Sequence, residues 1–177
     1  EIFKELKIDQ ILKFKNVLKQ INSTNNEIRF NSKKFSRSLI NKLNLKYDLA
    51  YGRLNYSKKM VLSDDIFQCE GNVNLLEEFP LLFFNCSIHA KSKRKFLKKF
   101  NIFFKRDNEP FILNAKGNLS ILNQKVNFKN ISMNKNYNAS REDLDYFKEK
   151  FENTLFNENF VGIFNLKKIK EFILEIS

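Results

Sequence analysis

The side chains able to carry out chemistry are few in this sequence and do not gather into a motif. There is one histidine, His89, and there are two cysteines, Cys69 and Cys86. A histidine acting as general base or zinc ligand needs an orienting or ligating partner. His89 instead lies on an alternating stretch, out of phase with Phe84, Cys86 and Ile88, and reads as an exposed or edge residue. The cysteines lack Cys-x-x-Cys spacing and have too few companions for a structural zinc site. Two readings stand for them: buried thiols that pack as small hydrophobes, or a cross-strand disulfide if the compartment is oxidising. The acidic pairs Asp64-Asp65 and Glu77-Glu78 fall where turns are expected, and solvated turn residues account for them better than a metal site or a glycosidase pair. No Gly-x-Gly-x-x-Gly, phosphate-binding loop or Gly-x-Ser-x-Gly occurs. No catalytic, metal-binding or cofactor-binding residue is therefore assigned, and the chain reads as non-enzymatic.

Charge is the other chemical resource. Lys and Arg number 32 against 20 Asp and Glu, a net charge of +12 over 177 residues. A protein this basic is drawn to polyanions, whether nucleic acid or anionic lipid headgroups. Composition supplies a plainer source: Lys, Asn, Ile and Phe are abundant, while Gly, Ala, Pro and Arg are scarce and Trp is absent. Those are the residues that AT-rich codons favour, and lysine outnumbers arginine, the residue suited to bidentate phosphate and base reading. The cations concentrate at Lys91, Lys93, Arg94, Lys95, Lys98 and Lys99, on a stretch whose Phe96, Leu97 and Phe100 would take one side of a helix. Three readings apply: a solvated helix face, contact with anionic headgroups over an apolar underside, or contact with nucleic acid. Single-strand binders need exposed aromatics beside the cations. Here the aromatics alternate inward with aliphatics, which argues against nucleic acid.

These residues must be positioned by elements that the hydrophobic period reveals. Hydrophobic residues make up 42% and aromatics 14%, too apolar for a disordered chain, and the length suits one domain with a core. The start at Glu1 implies a piece cut from a longer polypeptide. No run reaches the roughly 18 apolar residues of a membrane span. Leu12, Val17, Leu18 and Ile21 approximate a helical stripe. Glu27 to Phe30 suits a short strand, and Ser32 suits the N-cap of a helix carrying Phe35, Leu39, Ile40 and Leu43. From Leu45 the period becomes two. Leu45, Tyr47, Leu49 and Tyr51 alternate, Gly52 marks a phase slip expected of a bulge, and Lys58-Lys59 suits a turn. Leu113, Ala115, Gly117 and Leu119 alternate again, and Asn123-Gln124 would close a hairpin pairing Ile121 with Val126 and Leu119 with Phe128. Ser140-Arg-Glu-Asp143 resembles a capping box ahead of an amphipathic helix through Leu144, Phe147, Phe151 and Leu155. A final helix carries Ile169, Phe172, Ile173 and Ile176.

One hairpin is specified in register. Phe67, Cys69, Gly71 and Val73 share one strand face, and Leu82, Phe84, Cys86 and Ile88 share another. Folding about Glu77-Glu78 sets Phe67 against Ile88, Cys69 against Cys86, Gly71 against Phe84 and Val73 against Leu82, so every apolar residue meets another. These residues, with Leu119 and Phe128, form either a core or a lipid-facing surface. The sequence thus predicts an α+β fold. A one-faced, curved antiparallel β-meander spans 45–134, between a mostly helical 1–44 and a 140–177 segment of helices with one short strand. Residues 1–177 make a single domain or a fragment of one.

All four glycines head the pattern Gly-x-apolar-polar-apolar: Gly52 to Tyr56, Gly71 to Leu75, Gly117 to Ile121 and Gly162 to Leu166. Together with the helix-then-meander order, these strands resemble the AsmA-like superfamily of Gram-negative envelope proteins, with its TamB- and YhdP-related branches. The stretch from Leu45 to Ser132 carries the likeness. It includes Cys69-Glu-Gly-Asn-Val-Asn-Leu-Leu-Glu-Glu-Phe-Pro80 and Lys116-Gly-Asn-Leu-Ser-Ile121, and Phe160-Val-Gly-Ile-Phe-Asn-Leu166 closes in a similar way. The composition resembles AT-rich α-proteobacterial members. The resemblance implies a periplasmic body, an inner-membrane anchor outside this segment and an apolar sheet face. It also implies a role in moving phospholipid between membranes or in outer-membrane assembly, with phospholipid, a membrane surface or other envelope proteins as partners. It implies no catalytic residue and no cofactor.

Overall fold

The computed structural model describes residues 26–33, 41–99, 101–103, 109–134 and 136–155, together with positions 168 and 171. Eight antiparallel strands form one open sheet whose spatial order is the chain order. They are β1 (Asn26–Lys33), β2 (Lys42–Ala50), β3 (Arg53–Leu62), β4 (Asp65–Asn74), β5 (Leu81–Ala90), β6 (Phe111–Ser120), β7 (Lys125–Met133) and the two-residue β8 (Tyr137–Asn138). Helix α1 (Lys93–Lys98) lies between β5 and β6, and α2 (Arg141–Leu155) follows β8. The architecture is the α+β meander that the period-two patterning predicts.

Strict alternation gives the sheet two unlike faces. On one face Tyr47, Tyr56, Gly71, Phe84, Gly117 and Phe128 follow one another across β2–β7, and Leu49, Leu54, Val73, Leu82, Leu119 and Val126 form the next row. The opposite face is largely Asn, Ser and Lys; one of its rows runs Asn55, Asn72, Phe83, Asn118 and Asn127.

Two helices close part of the apolar face. Phe96 and Leu97 of α1, with Ile102, bury against Leu62, Ala90 and Phe111. Ser92 caps α1 by accepting from the Lys95 N–H at 3.3 Å. At the other end Phe151 of α2 joins Leu82, Phe84, Leu119, Val126 and Phe128, its ring 5.6 Å from that of Phe128 and edge-on to it. The capping box is present: Asp143 N–H donates to Ser140 Oγ at 3.2 Å, and Ser140 N–H donates to Asp143 Oδ2 at 2.9 Å. Those bonds hold the Asp143 carboxyl below its ordinary value. Glu152 accepts from the Val126 N–H at 2.9 Å, so α2 also satisfies part of the β7 edge.

Four local expectations are corrected. Ser32 is not a helix cap: it lies in β1 opposite Leu43, and the sheet begins at Asn26 rather than Leu45. Gly52 is not a bulge. With Tyr51 (φ 48°) it forms a two-residue turn at φ 72°, joining Ala50 to Arg53, as the twist of a tight hairpin requires. Lys58-Lys59 is not a turn but lies mid-strand in β3, and the chain reverses at Ser63-Asp64. The β6–β7 hairpin is two residues away from the expected register: Leu119 faces Val126 and Gly117 faces Phe128, and a register shift follows beside Lys116/Gly117. The expected helix through Leu12, Val17, Leu18 and Ile21 and the last copy of the glycine motif lie outside the described residues, as does nearly all of the final helix.

Candidate functional site

Burial on the apolar face is greatest among residues of β4–β7 and least on β1. Val126 on β7 and Val73 on β4 are each 2% exposed, whereas Phe30 and Ile28 on β1 are 48% and 64% exposed. Between them Leu43, Leu45, Leu49, Leu54, Met60 and Phe67 are half-buried. Among the described residues α1 packs on Leu62, Ala90 and Phe111, α2 packs on the β7 side, and the rest of the β1–β3 face is an apolar slope ending at the edge strand β1. An apolar surface continuous over several strands differs from the scattered single exposures that are usual on proteins.

One cation interrupts that slope. Lys58 takes a core-face position on β3, between Leu45 of β2 and Cys69 of β4. Its ammonium lies 5.9 Å from the Phe67 ring centroid. Burial lowers its pKa below the ordinary 10.5. Beside it the Tyr56 hydroxyl donates to the Phe83 carbonyl at 3.4 Å and lies 3.8 Å from Cys69 Sγ. Burial, and secondarily Tyr47, pushes that hydroxyl up to about 12. Sequence reasoning missed Lys58, although Leu54, Tyr56, Met60 and Leu62 continue the period of two through it.

The β4–β5 hairpin adopts the register argued from sequence: Phe67 faces Ile88, Cys69 faces Cys86, Gly71 faces Phe84 and Val73 faces Leu82. Cys69 and Cys86 are joined by a disulfide with Cα atoms 4.0 Å apart. The sequence separation is 17, and a closed loop of that length is worth about 3 kcal/mol. Reduction is therefore expected to lower the unfolding free energy by about that amount. Urea unfolding with and without reductant measures it, and a C69S/C86S variant should match the reduced protein and no longer respond to reductant. Of the proposed core or lipid-facing residues, Leu82, Phe84, Leu119 and Phe128 belong to the cluster that Phe151 of α2 joins, and Ile88 packs against the α1 cluster. Val73 is buried, and half-buried Phe67, beneath Lys58, borders the open slope.

The basic segment does not act as one patch. Lys99 is drawn inward: its ammonium donates to Asp65 Oδ2 at 2.5 Å and to the Leu62 carbonyl. Asp65, 4% exposed, also accepts from the Lys91 N–H at 3.2 Å. Asp65 is thus a buried structural anion and not a solvated turn residue, and Lys99 is withdrawn from any headgroup. Lys93 lies 6.0 Å from the Phe111 ring centroid, and the Lys91 ammonium pairs with Asp64 at 3.6 Å. Arg94, Lys95 and Lys98 are exposed. Lys91, Lys95 and Lys99 line a cleft of about 310 Å³ with Ser63, Asp64, Asp65 and Ser92. His89 is exposed on the polar face, opposite Ile66 and Ile112. Among the described residues no three His, Cys, Asp or Glu side chains gather as a metal site, and no helix is long and apolar enough to cross a membrane.

No protein-family model, curated protein or solved structure matches this chain. Sequence and geometry are what a functional reading rests on.

Proposed function

We propose that this is a non-enzymatic cell-envelope protein of AsmA-like type whose open apolar sheet face binds or conducts phospholipid. The observation that carries the reading is the gradient of exposure on one continuous apolar face, from 2% at Val126 to 64% at Ile28. A sheet of this kind shelters acyl chains on one side while its Asn- and Ser-rich side meets water. The disulfide suits an oxidising compartment such as the periplasm. Exposed Arg94, Lys95 and Lys98 on α1 offer a contact for anionic membrane surfaces. The net charge of +12 motivates nucleic acid as the second reading. Against it, Phe83 is the single aromatic on the polar face among the described strands, and single-strand binding needs several stacking platforms.

Mass spectrometry of lipid retained through size exclusion separates the readings. Phospholipid at near-stoichiometric level is expected, and its uptake should fall severalfold when Leu45→Glu and Leu54→Glu place charge on the open slope. Lipid-free protein that takes up labelled phospholipid no better than the charged variant would overturn the reading.

A further inference from the structure

The open slope is hydrocarbon apart from its tyrosine hydroxyls, the Ser32 hydroxyl and one ammonium. Lys58 stands at its inner boundary, opposite Leu45 and Cys69 and two residues from Tyr56 and Met60. A half-buried ammonium requires an anion or hydrogen-bond acceptors. Among the described residues no carboxylate pairs with Lys58, and its one recorded partner is the face of the Phe67 ring. The only acid on the apolar face of the described strands is Asp65, and that carboxylate is taken by Lys99 and the Lys91 N–H. Among the described residues the face therefore holds one uncompensated positive charge where acyl chains would lie. Its burial lowers the pKa, the sign expected of a cation that lacks its counter-ion.

We propose that Lys58 is the headgroup anchor of the lipid face, selecting phospholipid with a net negative headgroup. This rests on the lipid reading above and adds the class of lipid. The phosphodiester accepts from the Lys58 ammonium, and the chains run outward over Leu43, Leu45, Leu49 and Leu54 toward the β1 edge. A zwitterionic lipid gains little at Lys58, because its own ammonium offsets the phosphate charge, and it brings a second cation for which the described face has no free acid. Selection therefore comes from charge balance on a low-dielectric surface, where one charge-assisted hydrogen bond is strong.

The test compares the full chain with Lys58→Met and Lys58→Arg, using fluorescent phosphatidylglycerol and phosphatidylcholine with identical acyl chains. The wild-type chain should prefer phosphatidylglycerol by roughly tenfold, the effect of one charge-assisted bond. K58M should lose the preference while keeping its affinity for phosphatidylcholine, and K58R should retain it. If K58M does not fold, Lys58→Gln replaces it with the same expectation. A variant with Arg94, Lys95 and Lys98 changed to Gln should keep the preference, because those cations lie on α1 and not on the slope. Loss of preference in that variant, its persistence in K58M, or equal binding of both lipids by the wild type would overturn the anchor and leave the lipid reading standing. Failure of either lipid to bind would overturn the lipid reading, and the anchor with it.

Discussion

Alanine at Gly71 will remove a large part of the stability of the sheet. A β-carbon there would fall well inside van der Waals contact of the Phe83 backbone carbonyl and 2.9 Å from Tyr56 Cε1. The carbonyl belongs to the adjacent strand, so no rotamer change relieves the clash and β4 must part from β5. The ring of Tyr56, directly across on β3, already fills the space above the glycine. The arrangement repeats at Gly117, where a β-carbon would meet the Asn127 carbonyl and lie 2.9 Å from Phe84 Cζ. The row Tyr56, Gly71, Phe84, Gly117, Phe128 thus alternates rings with bare backbone, and Phe84 reaches Phe128 edge-on at 5.9 Å across Gly117. Overpacking against backbone costs on the order of 4 kcal/mol, at the upper end of single-residue effects. Against a typical stability of roughly 5–15 kcal/mol, a loss of that size takes a large share, and leaves G71A marginal at 25 °C if the wild type lies near the low end. Urea unfolding decides it, with Asn72→Ala on the polar face expected to stay within about 0.5 kcal/mol of wild type. A G71A protein as stable as wild type would mean that the strands are not held this closely.

The same row explains why some of the fold is legible in the sequence. The β4–β5 pairing could be read because only one register matches Phe67, Cys69, Gly71 and Val73 with apolar partners on the returning strand. Glycine marks a close approach of backbone at Gly71 and Gly117. At Gly52 the same motif marks a turn, because Tyr51 beside it also takes a positive φ. Register failed at β6–β7, where Ile121 was expected to be a strand residue. It is instead buried in the turn, its N–H donating to the Pro80 carbonyl at 3.4 Å. The register shift near Gly117 then brings Phe128 and Ile131, three residues apart, onto one face, which no strict alternation anticipates.

Glu27 to Phe30 lies in β1 as its pattern suggests, whereas the start of β2 carries two competing periods. Phe35, Leu39, Ile40 and Leu43 fit a helical period, yet Leu43 also begins the alternation that runs through Leu49. Pairing with β1 and β3 settled the competition for Leu43 in favour of the strand. Lys58 broke the apolar pattern of β3 and so resembled a turn, although it is the residue on which the proposed lipid selectivity depends. A polar residue on an apolar face looks like a mistake in a pattern until the face is known to be open. The tie between Asp65 and Lys99 had no sequence signal at all. The two stand 34 residues apart, and only the packing of α1 over the β3–β4 turn brings them together.

That tie is expected to carry the second large effect. Asp65→Ala should destabilise the protein by about 3–5 kcal/mol, the cost of removing one member of a buried pair. The Lys99 side chain, 19% exposed, would keep the Leu62 carbonyl but lose its counter-ion, and the Lys91 N–H would lose its acceptor. Lys99→Met should cost a similar amount, since it strands the Asp65 carboxylate at 5% side-chain exposure. Replacing both, Asp65→Leu with Lys99→Met, should recover most of the loss, because an apolar pair leaves no buried charge behind. A double-mutant cycle by urea unfolding tests this, and additive costs would show that the pair is not coupled. Hydrogen exchange supplies the structural readout. Lys99 sits at the end of α1 and Asp65 at the start of β4, so the bridge fastens the helix that holds Phe96 and Leu97 on the apolar face. In D65A the amides of α1 should lose protection before those of β4 and β5, whose ladder is intact. If α1 lifts, the buried patch beneath it becomes continuous with the open slope. On the proposed lipid reading, D65A should then take up more labelled phospholipid than wild type under conditions where the sheet remains folded.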